Sequence, residues 1–127
     1  MNTLEPLCNF EQSKMLKELG FMEATLNYYN LRDEPCTSSI GKANFNNGNT
    51  GLVSRPTISL AKNWLYDKYG IWIETHKLLE EPPYCFESGI QEEGIFIAIT
   101  DNHTPHTAES DCLTEVLKKL TNEKSNS

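Results

Sequence analysis

Between Ile71 and Thr100 the chain offers three strand-like runs in a row: IWIETHK (71–77), YCFES (84–88) and IFIAIT (95–100). No helical periodicity separates them. Strands that follow one another without a crossover helix pair antiparallel. Runs of consecutive strands beside a few helices point to an α+β fold rather than an alternating one. IWIETHK alternates, so Ile71, Ile73 and Thr75 share one face while Trp72, Glu74 and His76 share the other. EEPPY (80–84) breaks the chain, because proline cannot donate to a ladder. GIQEEG (89–94) reads as a hairpin connection. IFIAIT is apolar almost throughout, which predicts a central strand covered on at least one face.

Three amphipathic helices accompany these strands. In NFEQSKMLKELGF, Asn9 and Gln12 have capping-box spacing, and Phe10, Met15, Leu16 and Leu19 form a stripe. Gly20 suits the left-handed position after a helix, with Phe21 folding back on Leu16. In RPTISLAKNWLYDKYG, Thr57 is the expected cap and Gly70 the stop, with Ala61, Trp64, Leu65 and Lys68 along one face. The last helix is expected after a polar loop, capped by Thr107 or Ser110. Its stripe is Leu113, Val116, Leu117 and Leu120, and Lys118 and Lys119 suit its C-terminal end. ATLNYY (24–29) reads as a strand. Residues 30–55, with NFNNGNTG, read as a long turn-rich stretch, interrupted at most by a short strand near Asn44–Phe45. The expectation is a single small α+β domain over 1–120, an antiparallel sheet of about four strands with about three helices packed on one face, and a disordered tail over 121–127.

Three of these segments, FEQSKMLKELGF, RPTISLAKNWLYDKYGIWIE and LTEVLKKL, together resemble a group of small accessory proteins encoded by phages and prophages of Bacteroidetes-type bacteria. The shared marks are Leu16, Lys17, Glu18, Gly20, Phe21, Tyr28, Tyr29, Pro56, Thr57, Trp64 and Leu65. They cover about half the chain as motif. The Asn-rich segment and a histidine-bearing loop depart from the pattern. The resemblance implies a setting, a phage-encoded accessory protein, and carries over no catalytic residue.

Charge narrows the function classes. The balance is 11 basic against 18 acidic residues, a net of −7. Nucleic-acid binding needs a basic footprint, so direct binding of that kind is disfavoured. No apolar run approaches the roughly 20 residues of a membrane span. MNTLEPLCNF lacks the basic start and apolar core of a secretory signal, as expected of a protein of the bacterial cytoplasm. Cys8, Cys36, Cys85 and Cys112 are scattered, with no C-x-x-C pair, so free thiols are expected rather than a zinc site or disulfides. Nucleophile elbows and phosphate-cradling glycine motifs are missing, and no cofactor is expected. Carboxylates such as Glu80, Glu81, Glu87, Glu92 and Glu93 read as solvated turns.

Two candidate sites remain. TDNHTPHTAESD (100–111) places His103 and His106 three apart between Asp101 and Asp111. Imidazole and carboxylate ligands of that kind suit zinc or another divalent ion, although Pro105 argues against a helix through both histidines, and a solvated connector has the same composition. The second candidate is aromatic. Tyr28, Tyr66, Tyr69 and Trp72 are residue types that anchor protein interfaces, set against the alternative that they fill the core. The functional expectation is a non-enzymatic phage accessory protein that binds a host or phage protein, and self-association is compatible with it. The alternatives are a metal-dependent enzyme or ligand-sequestering protein built on His103 and His106, and a minor virion component.

Overall fold

The computed structural model of the chain describes residues 5–78 and 85–125. The EEPPY break expected at 80–84 and the last two residues of the tail lie outside them. The element order is α1 (Phe10–Glu18), β1 (Asn27–Tyr29), β2 (Pro35–Thr37), β3 (Val53–Arg55), α2 (Ile58–Tyr69), β4 (Trp72–Lys77), β5 (Phe86–Glu92), β6 (Ile95–Asn102) and α3 (Pro105–Ser125). The fold is α+β with three helices. Its strands form two three-stranded antiparallel sheets, β2-β1-β3 and β4-β5-β6, rather than one sheet of about four. The reason lies in residues 30–55. They supply two three-residue strands, too short to show a period, and both pair with β1 instead of extending the sheet formed by the three consecutive strands. No described helix is long and apolar enough to cross a membrane.

The chain divides into two compact units. Among the described residues, one comprises 5–61 with 117–125, and the other 62–78 with 85–116. In the first unit, α1 carries both terminal signals. Asn9 Oδ1 accepts from Gln12 N (2.8 Å) while Gln12 Oε1 accepts from Asn9 N (2.9 Å). At the other end, Gly20 takes a φ of 94°. Phe21 N then donates to Leu16 O and Gly20 N to Lys17 O, a Schellman closure. Leu16 and Phe21 are fully buried, as are Cys8, Ala61 and Leu117, and Ile58 is nearly so. The turn-rich stretch is held from inside by Asn46. Its amide donates to Phe21 O and its carbonyl accepts from Ser54 N, both at 2.8 Å. Asn46 is buried, so those two bonds satisfy backbone groups that water cannot reach. The helix expected to end near 120 continues to Ser125. Within that end Thr121 Oγ1 bonds back to Leu117 O (3.0 Å), and Lys124 Nζ donates to Glu18 O.

In the second unit, α2 stops at Gly70, whose φ of 71° lets the chain turn straight into β4. The register puts Ile73, Ile90 and Ile97 in one row, and Thr75, Ser88 and Thr100 in the next row of the same face. Ile73 and Ser88 are buried there. Thr100 Oγ1 donates to Ala108 O of α3 (2.7 Å), and Ser88 Oγ donates to Glu74 O (3.0 Å). Ala108, Cys112 and Leu113 of α3 are fully buried. β5 and β6 meet at Glu93–Gly94, both with positive φ, the geometry of a two-residue type I′ hairpin. The GIQEEG connection is therefore mostly strand. A bulge between Ser88 and Gly89 leaves Ile99 as the extra residue of β6.

Candidate interaction surface

Helix α2 and strand β4 bring three of the four expected aromatics into one unit. Because Gly70 joins the two elements without a loop, Tyr66 and Trp72 lie edge to face at 5.7 Å between ring centroids. Lys62 Nζ sits 5.3 Å from the Trp72 ring centre and 2.9 Å from Glu109 Oε2. Tyr69 meets Trp64 edge-on at 5.9 Å, and Lys68 lies over both rings. Tyr66 and Tyr69 are exposed and Trp72 is half-buried. Tyr28 belongs to the other unit. It stacks on Phe45 at 4.3 Å and borders an open hollow of about 360 Å³ with Leu31, Arg32 and Leu52.

The face of the β4-β5-β6 sheet opposite Ile73 is mixed in character. Trp72, Gln91 and Phe96 form one row across it, and His76, Glu87 and Asp101 another. Glu74 Oε2 accepts from Gln91 Nε2 (2.9 Å) and lies 3.1 Å from His76 Nε2. The Gln91 amide, with His76 beside it, holds the Glu74 carboxyl below its usual range. The His76 ring stands edge-on to Phe96 at 4.5 Å.

The four residues of the histidine stretch are spread over strand end, connector and helix. Asp101 is on β6, His103 follows it, His106 is in the first turn of α3, and Asp111 is further along that helix. Thr104, not Thr107 or Ser110, caps α3: its Oγ1 accepts from Thr107 N at 3.3 Å. Pro105 then occupies the first helical position, where a missing N–H costs nothing. Among the described residues no group of three or more His, Cys, Asp or Glu side chains is arranged to hold a metal ion.

Strand β6 departs most from expectation. It lies at the edge of its sheet, not in the centre. Ile95, Ile97 and Ile99 are 67%, 42% and 38% exposed. Three consecutive antiparallel strands leave the third at an edge unless a fourth pairs with it, and that was the available signal. Edge strands of natural proteins are commonly blunted by charge, proline or brevity. Between Ile95 and Thr100 this one has no charged residue and no proline, and it is eight residues long.

The two buried thiols, Cys8 and Cys112, are poor nucleophiles. Burial pushes Cys8 up to about 12 and Cys112 up to about 11, so both stay protonated at neutral pH. Comparison of the chain with protein-family models, with curated proteins and with solved structures finds no match.

Proposed function

We propose that this chain works by binding another protein and performs no catalysis, as a phage-encoded accessory protein acting in the bacterial cytoplasm. The observation that carries the reading is the β6 edge, whose Ile95–Thr100 run is uncharged and bears three exposed isoleucines at the margin of a sheet. Exposed apolar rows of this kind mark interaction sites in soluble proteins. The Trp72–Gln91–Phe96 row on the adjoining face adds aromatic area of the sort that anchors interfaces. A net charge of −7 favours a protein over nucleic acid as the bound macromolecule. The phage setting rests on the resemblance of the LKELGF and Pro-Thr-led helices.

Site-specific photocrosslinking in producing cells tests the reading. A photoreactive residue at Ile97 is expected to capture one protein in near-stoichiometric yield, while the same residue at exposed Glu23 captures none. Equal labelling from both positions, or no product from Ile97, refutes it.

A further inference from the structure

The partner's chemistry can be read from the charge around the same edge; the inference rests on the protein-binding reading above. Between Lys77 and Lys118 the chain has no lysine or arginine and carries nine of its 18 carboxylates. The β5–β6 hairpin lies inside that stretch. Glu92 and Glu93 stand at one end of β6 and Asp101 near the other. On the open face Glu87 and Asp101 are direct cross-strand partners. Like charges placed opposite each other destabilise a sheet. A basic ligand beside them would relieve that repulsion.

We infer that β6 accepts an extended, lysine- or arginine-flanked segment of another protein as a fourth strand. The added strand would pair its backbone with the β6 edge and lay alternate apolar side chains against Ile95 and Ile97. Its basic ends would meet Glu92 and Glu93 on one side and Asp101 on the other. Main-chain pairing supplies affinity in this mode of recognition, and side-chain pockets and charge supply specificity. The same charges disfavour a second copy of this chain. Antiparallel pairing of β6 with itself would bring Glu92 and Glu93 of one copy against Asp101 of the other.

Three synthetic peptides test the inference against the full chain, read by fluorescence anisotropy and by hydrogen exchange of the β6 amides. The first alternates valine and threonine over about eight residues and carries a lysine pair at each end. The second has the same side chains with alternate amides N-methylated along one edge, which blocks strand pairing and keeps the charge. The third replaces the lysines with glutamates. The expected result is binding of the first with slowed β6 exchange, and at least about tenfold weaker binding of the other two. Ile97→Lys and, at the more exposed neighbour, Ile95→Lys should each weaken the first peptide by about tenfold or more. Equal binding of the N-methylated peptide shows attraction without a strand and overturns the inference. So does equal binding of the glutamate peptide, binding of none, or a self-associated chain whose β6 amides are already protected. If the peptides fail while Ile97 still crosslinks one protein, the strand is refuted and the protein-binding reading stands. If both fail, neither stands.

Discussion

Replacing Gly89 with alanine tests the geometry of the β5–β6 hairpin directly. A Cβ at Gly89 would lie 2.0 Å from the Ile97 carbonyl oxygen and 2.8 Å from Ala98 Cα, both backbone atoms. Ordinary contact begins at 3.4 Å, so the strands must part by 3.4 − 2.0 = 1.4 Å at the bulge. That displacement carries a ladder bond of about 2.9 Å beyond 4 Å, where it no longer counts as a hydrogen bond. Two flanking bonds at about 1 kcal/mol each, with at least about 1 kcal/mol for overpacking, give a loss of about 3 kcal/mol. An unfolding entropy of about 2.1 cal/mol/K per residue over this chain converts that to a fall in Tm of about 11 °C. Differential scanning calorimetry and urea unfolding measure it. Gly94→Ala is the control. Gly94 has φ +80° with nothing within 4 Å of an added Cβ, so it should cost only about 1 kcal/mol of backbone strain. If Gly89→Ala is no less stable than Gly94→Ala, the close approach of β5 and β6 at the bulge is wrong.

Four further outcomes follow from the described contacts. Asn46→Ala removes the partners of Phe21 O and Ser54 N and should destabilise by about 2–4 kcal/mol in urea titrations, more than Asn9→Ala at the α1 cap, at about 1 kcal/mol. Leu113→Ala, at a fully buried position, should cost about 2–5 kcal/mol. The raised Cys8 and Cys112 thiols contribute stability that is present below pH 9 and is lost as pH rises toward about 11–12, because the unfolded chain ionises first. Unfolding titrations across that window should show the decline, and Cys8→Ala should make it shallower. In the same protein a thiol reagent at neutral pH should label half-buried Cys36 and Cys85 before Cys8 and Cys112.

What could be read from the sequence was whatever a few neighbouring residues decide. The α1 capping box, the Gly20 and Gly70 stops, the Thr57 cap, seen in its bond from Leu60 N at 3.1 Å, and the alternation of β4 all depend on contacts within a few positions. The adjacency of Tyr66 and Trp72 was legible for the same reason, since only Gly70 and Ile71 separate their elements. Sheet order was not, because it depends on partners far along the chain. An apolar IFIAIT has the same composition at an edge as in a centre, and only its place as the third strand of a meander separates the two. The strands at 35–37 and 53–55 gave no period to detect. Gly89 and Gln91 read as turn residues, yet Gly89 is in the strand because the bulge leaves no room for a side chain. Pro105 read as a helix breaker and is a helix starter, since Thr104 ahead of it completes the cap.

Residues 5–61 share their compact unit with the stretch from Leu117 to Ser125, while residues 62–116 build the other. During synthesis the ribosome must therefore add 55 residues after Ala61 before Leu117 appears. At about 5–20 residues per second that is a wait of roughly 3–11 s. Throughout it, Leu16 and Phe21 belong to a nascent segment still short of the α3 turns that complete its core. The 62–116 unit is contiguous and faces no such delay. The order of birth and the order of closure thus differ for the two units: the segment made first is the one that finishes last.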